Sequence, residues 1–201
     1  MRLYSMPSSG NSYKVRLLLA LLGRDCELVD VEYQTEALDR AKAEGRLPFG
    51  KAPVLELEDG RLLPESNAIL CWLGEGSSYM PEDALERAEM LAWMFWEQNQ
   101  HEGVVAVRAA LRTYPHRRAQ ATPERMAELL ERGHALLQVI EDRLSRSDWL
   151  AGNRASLADL CLYAYTHTAG SIGGFQMDRF PRINAWLARI AALPGYKGLD
   201  E

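Results

Sequence analysis

The sequence predicts an α/β unit followed by an all-α unit. Three observations carry this. Strand-like and helix-like segments alternate up to about residue 74, a stretch dominated by Gly, Ser and Pro occupies residues 74–81, and strand signals disappear beyond it. Residues 2–5 read as a short strand. Residues 12–22 follow as a helix, with Val15, Leu18, Leu19 and Leu22 on one face and Gly23 as its stop. Residues 27–33 alternate Leu28, Asp30 and Glu32 against Val29, Val31 and Tyr33, a second strand. An irregular helical stretch covers residues 38–45. Residues 54–57 and 61–63 flank Asp59-Gly60, a strong hairpin signal. Helical spacing resumes over residues 66–73 through Ala68, Ile69, Trp72 and Leu73. A β-α-β start implies a parallel strand pair with a crossover helix, and the hairpin adds an antiparallel edge.

Beyond the linker the pattern is helical. Residues 85–111 form one long stretch, with a bend expected at Gly103. Thr122 caps a further helix with Pro123 at its first position, and Met126, Leu129, Leu130, Leu136, Leu137, Ile140 and Leu144 make its apolar set. Ser156-Leu157-Ala158-Asp159 has the form of a capping box, with Asp in the reciprocal position, ahead of the apolar run 160–165. A last helix spans residues 181–192 and ends at Pro194-Gly195. The expected division is residues 1–75, a linker at 76–83, and residues 84–201.

Composition narrows the function classes. Of 201 residues, 47% are apolar and 25% charged, which excludes wholesale disorder. The net charge of −5 argues against a general nucleic-acid or anionic-membrane binder. Cys26, Cys71 and Cys161 are odd in number, far apart and outside any CxxC, so neither a disulfide framework nor a dithiol site is expected. No apolar run approaches the ~20 residues of a membrane span, and no basic-then-apolar leader is visible. The four histidines show no metal-ligand spacing, so no metal is expected. The basic cluster 112–118 reads as a solvated helix end. A reduced, cytoplasmic protein is the expectation.

Three local signals in the first unit point to chemistry. In Pro7-Ser8-Ser9-Gly10-Asn11-Ser12, small hydroxyl and amide residues lie between the first strand and the first helix, where unpaired N–H groups favour an anion. The same residues also suit an ordinary helix cap. Lys51-Ala52-Pro53 enters a strand. Proline is tolerated there without a cis bond, whereas a cis bond would turn the Ala52 backbone toward a ligand. In Pro64-Glu65-Ser66, Ser66 can cap the third helix and face a carboxylate while Glu65 pairs with an ammonium, so that together they hold an amino-acid zwitterion. A plain cap with an acid at the helix start is the other reading.

These signals, in this order and in this frame, resemble a cytosolic glutathione transferase across nearly the whole chain. Residues 64–73 resemble the family's Glu-Ser element, residues 51–55 its cis-proline strand, and residues 156–159 the capping box of its second domain. Phe95-Trp96-Glu97-Gln98 and His101-Glu102 resemble the first long helix of many bacterial members. The resemblance implies a thioredoxin-like N-terminal domain and an all-helical C-terminal domain. It implies that Ala52, beside cis-Pro53, holds the cysteinyl backbone of glutathione, that Glu65 and Ser66 hold its γ-glutamyl end, and that Lys51 reaches its glycyl carboxylate. For the thiol, Ser9 aligns best with the hydroxyl of serine-type members, with Ser12 and Asn11 as runners-up. Tyr4 resembles a core position. Trp93, Trp96, Tyr114, Tyr165 and His167 are candidates for the wall of an electrophile pocket, although helix-spaced aromatics also suit core packing. The implied function is activation of the glutathione thiol for attack on a hydrophobic electrophile. A glutathione-dependent disulfide reductase or peroxidase, or a non-catalytic relative, are the alternatives. The implied assembly is a homodimer.

Overall fold

The computed structural model describes residues 1–200. They form two compact units. The first comprises Met1–Met80 together with the segment from Ala191 onward, and the second is Pro81–Ile190.

In the first unit, strands β1 (Arg2–Ser5), β2 (Glu27–Asp30), β3 (Val54–Glu56) and β4 (Leu62–Pro64) make one sheet in the order β2-β1-β3-β4. The β1–β2 pair is parallel, as the crossover through α1 (Gly10–Leu21) requires. The other two pairs are antiparallel. The hairpin turns at Gly60, whose φ of 82° suits glycine. Side chains alternate across the sheet. Tyr4 and Val54 meet Leu38 and Ala41 of α2 (Glu36–Ala43) on one face. The fully buried Leu3 and Leu55 point the other way, toward the face where α1 packs on α3 (Ser66–Gly74).

Several boundaries differ from the sequence reading. Helix α1 begins at Gly10 rather than residue 12, because Ser9 is its cap. β2 is shorter, since the chain turns at Gln34, which has a φ of 61°. The long stretch after residue 84 comprises α4 (Ala84–Trp96), a π-helical segment Glu97–Ala106 that includes Gly103, and α5 (Val107–Thr113). Residues 191–200, which the sequence division assigns to the helical part, belong to the first unit.

The second unit is completed by α6 (Pro123–Leu144), α7 (Leu157–Thr166) and all but the last residue of α8 (Pro181–Ala191). The capping box forms: the buried Asp159 carboxylate accepts from Ser156 N and Oγ, both at 2.8 Å. It also accepts from Leu150 N and the Trp186 indole, both at 3.0 Å. The Glu141 carboxylate binds the first amides of α8, Arg182 N and Ile183 N, both at 2.9 Å. Among the described residues, no helix is long and apolar enough to cross a membrane.

Candidate active site

The three sequence signals meet at one end of the sheet. Tyr4 lies opposite Val54, and Val54 lies opposite Pro64. Continuing each ladder by one residue sets Ser5 beside Pro53 and Pro53 beside Glu65. The β1–α1 loop, the Lys51-Ala52-Pro53 segment and the start of α3 are therefore neighbours because of strand register.

The β1–α1 loop is a closed turn. Ser9 N donates to Met6 O at 3.0 Å, and Met6 N donates to Ser12 Oγ at 2.9 Å. Ser12 is fully buried, so its hydroxyl serves the loop. Ser9 has extended backbone and caps α1, its Oγ accepting from Ser12 N at 3.5 Å. It is only half-buried. A hydroxyl that accepts from the helix still has its own proton to donate. Ser8 is exposed and tied to Glu32 through both its N and its Oγ, each at 2.9 Å.

Asn11, in the first turn of α1, links two signals. Its Oδ1 accepts from the Lys14 ammonium at 2.8 Å and from Ser66 Oγ at 3.1 Å. An ammonium can only donate, so this assignment fixes the amide orientation and turns the Asn11 NH2 to the opposite side. Lys14 is completely buried. A buried ammonium demands such partners.

The start of α3 departs from the expected cap. Glu65 occupies the cap position with a φ of 71°, and no side-chain bond caps the helix. Ser66, expected to be the cap, is helical, nearly buried and directed at Asn11. A non-glycine residue in the left-handed region costs about 1–3 kcal/mol and is typical of ligand clamps. The Glu65 side chain is exposed, Lys51 is exposed, Ala52 is half-buried, and the Ala52–Pro53 peptide is cis.

The five aromatic candidates all lie in the second unit and are all partly buried. Trp93 and Trp96 of α4 touch edge-to-face at 5.4 Å. The Tyr165 hydroxyl of α7 donates to Glu102 Oε1 at 3.4 Å. Tyr114 contacts His116, and His167 stacks on Tyr163 at 4.9 Å.

Sequence reasoning gave no role to Arg16, and it noted Glu97 and His101 only as part of a helix motif. Arg16 grips the β1–α1 loop, donating to Ser5 Oγ at 2.7 Å and to Pro7 O at 3.0 Å. Burial pulls its guanidinium below the ordinary value, against the attraction of Asp30. In the second unit, the buried Glu97 Oε2 accepts from Gln98 at 2.7 Å and from the Cys161 thiol at 3.3 Å, while His101 meets Thr166 at 3.2 Å. A charged residue interrupting an apolar helix face was the available signal for Arg16. Among the described residues, no group of three or more His, Cys, Asp or Glu is placed to hold a metal ion.

Comparison with known proteins bears on these features. The family model "Glutathione S-transferase, N-terminal domain" matches residues 3–78, and "Glutathione S-transferase, C-terminal domain" matches residues 104–194. The solved glutathione S-transferase of Pseudomonas fluorescens Pf-5 is 39% identical with a TM-score of 0.93, covering 100% of this chain and 98% of that one. A sphingomonad glutathione S-transferase, solved in complex with glutathione, is 27% identical with a TM-score of 0.81 over 97% of this chain and 94% of that one. The disulfide-bond oxidoreductase YfcG of Escherichia coli K12 is 26% identical over 96% of this chain and 90% of its own. On these matches, and with a thioredoxin-like first unit followed by a helical one, the chain belongs to the glutathione transferase family of enzymes.

Proposed function

We propose that the protein binds glutathione at the sheet end described above and activates its thiol for conjugation to a hydrophobic electrophile. The observation that carries this reading is the hydrogen bond between Ser66 and Asn11, which joins the starts of α3 and α1 beside the half-buried Ser9. Glu65 and Ser66 receive the γ-glutamyl ammonium and carboxylate, Ala52 the cysteinyl backbone, and Lys51 the glycyl carboxylate. Ser9 donates its hydroxyl proton to the sulfur. Ser12 is buried and committed to Met6, so the assignment rests on Ser9, with the Asn11 NH2 as a second donor.

Magnitudes support a donor without a general base. A thiol near pKa 8.5 needs about 2.7 kcal/mol of preference for its anion to fall by about two units. A hydrogen bond to a charged group supplies ~1.5–3 kcal/mol, and a helix N-terminus adds ~0.3–1 kcal/mol. The serine is thus a donor and the nucleophile is the ligand's sulfur. The electrophile is received by the helical unit, for which Trp93, Trp96, Tyr114, Tyr165 and His167 are the wall candidates.

The likeness to a disulfide-bond oxidoreductase favours a second reading, in which the same thiolate reduces disulfides or hydroperoxides. A direct comparison separates the two. Conjugation of a chloronitrobenzene is the expected activity, and reduction of a small disulfide without conjugation would replace it with the second reading. Absence of any measurable glutathione binding would sink both.

A homodimer is the proposed assembly. Leu85, Ala88, Ala92 and Phe95 form an exposed apolar stripe on α4, with Leu85 69% and Phe95 64% exposed. Sedimentation at micromolar concentration tests it, and a monomer there would contradict it. The proposed location is the cytoplasm, where glutathione is kept reduced.

A further inference from the structure

We propose that residues 191–200 act as a strap that holds the thiol-activating loop in position, with Tyr13 and Arg16 as the positioning residues through which it acts. This rests on the assignment of the β1–α1 loop to the site.

The strap lies against α1 at three points. Gly195, with a φ of 84°, lies so close to the helix that an added Cβ would sit 2.9 Å from the Ala20 carbonyl oxygen. Tyr13 is buried. Its hydroxyl donates to Lys197 O at 2.8 Å and lies 3.4 Å from the Tyr196 hydroxyl. Arg16 Nη2 donates to Leu199 O at 3.3 Å.

Arg16 also reaches the loop. The same Nη2 donates to Pro7 O at 3.0 Å, while Nη1 donates to Ser5 Oγ at 2.7 Å and to Met6 O at 3.4 Å. Met6 O is the acceptor for Ser9 N, which closes the turn that presents Ser9. One planar fork therefore spans the strap, the end of β1 at Ser5 and the loop residues Met6 and Pro7, and the ring of Tyr13 lies beside it, its centroid 5.8 Å from the guanidinium carbon. The chain of contact is unbroken: strap carbonyl, guanidinium, Met6 carbonyl, Ser9 amide.

A guanidinium has five donors and no acceptor, so each carbonyl it holds limits where it can sit. If the strap carbonyls are lost, the fork can rotate, and the turn that sets Ser9 loosens with it. A hydroxyl displaced by about 1 Å from a reacting atom costs up to a hundredfold in rate. The zwitterion clamp at Glu65 and Ser66 is held by β4 and α3, so glutathione affinity changes less than sulfur activation.

The test uses two variants on opposite sides of the contact, one conservative and one that strains the strap. Tyr13→Phe removes the bond to Lys197 and keeps the ring. Gly195→Val drives a side chain against the Ala20 carbonyl and lifts the strap. Each is expected to raise the pKa of bound glutathione by about one unit. Each should also lower kcat about tenfold with KM for glutathione changed less than about twofold. Amide exchange of residues 8–11 should quicken in both variants. The double variant should show no more than the larger single effect, because both act through one contact. A variant that lowers global stability but leaves the thiol pKa and the exchange of residues 8–11 unchanged overturns the proposal, as does full additivity. If the wild-type protein itself does not lower the thiol pKa, the active-site reading fails, while the exchange data still decide the strap.

Discussion

Asn11 Oδ1 accepts the Ser66 hydroxyl at 3.1 Å across 55 residues of sequence. The same oxygen takes the buried Lys14 ammonium at 2.8 Å. One side-chain carbonyl thereby joins two helix starts and satisfies a buried charge. Neither the Asn nor the Lys is unusual in sequence, and their meaning lies in this juxtaposition.

Asn11→Asp keeps both hydrogen bonds and adds a negative charge. Pairing with Lys14 should leave stability to urea equal to or above that of the wild type. The same charge beside the sulfur should raise the pKa of bound glutathione by about one unit. An unchanged thiol pKa in this variant would place Asn11 outside the sulfur site.

Glu65 combines strain with a proposed binding role, and two substitutions separate them. Glu65→Gly relieves the positive φ and should stabilise the fold by about 1 kcal/mol. It should also weaken glutathione binding by about 2 kcal/mol, near thirtyfold, through loss of the ammonium partner. Glu65→Gln should lose comparable affinity with no gain in stability. Calorimetric titration and urea midpoints read the two effects. Unchanged affinity in both variants removes Glu65 from the clamp.

His134 gives the second unit a pH dependence. Its Nε2 accepts from Gln176 N at 3.2 Å, which requires a neutral ring, and Arg179 lies 3.3 Å from Nδ1. Burial, together with Arg179 and Arg108, holds this imidazole below its ordinary value. The folded state thus resists protonation more than the unfolded chain does. The resulting stability is present above the ordinary value near ~6.5 and is lost as pH falls from there through the folded value. His134→Gln should flatten the fall in urea midpoint between about pH 7.5 and about pH 5. An equally steep fall in the variant would assign it to other groups.

Gly133 lies within α6, where alanine ordinarily gains about 1 kcal/mol. Here a Cβ would run into the ring of Phe175, which is buried and packed against Arg108 and His134. Gly133→Ala should therefore destabilise by about 1–3 kcal/mol. A stabilised variant would mean that Phe175 repacks freely.

Much of the fold was legible because its signals are local. The β-α-β order, the Asp59-Gly60 turn, the Thr122-Pro123 start and the Ser156–Asp159 box each depend on neighbours in sequence. The π-helical segment was not legible. Its residues have helical spacing, and the wider turn accompanies buried polar groups such as Glu97 and His101 that meet Cys161 and Thr166 far along the chain. The strap was hidden for the same reason, since Tyr13 and Arg16 find their partners more than 180 residues away. In the candidate site, residue types marked the three segments, and only strand register brought them to one end of the sheet. Ser12 is set apart from Ser9 by its burial and by its bond to Met6, neither of which sequence carries, and these favour Ser9 in the proposed role.

In the proposed reaction the Ser9 hydroxyl, at the start of α1, stabilises a thiolate on bound glutathione. The most direct measurement is a pH titration of thiolate ultraviolet absorbance with glutathione bound to the wild-type protein and to Ser9→Ala. The predicted result is a thiol pKa about two units below the free value of ~8.5 in the wild type, rising toward it in Ser9→Ala with little change in affinity. A wild-type value near ~8.5, or a rise on Ser12→Ala with none on Ser9→Ala, would remove Ser9 from the role of thiolate donor.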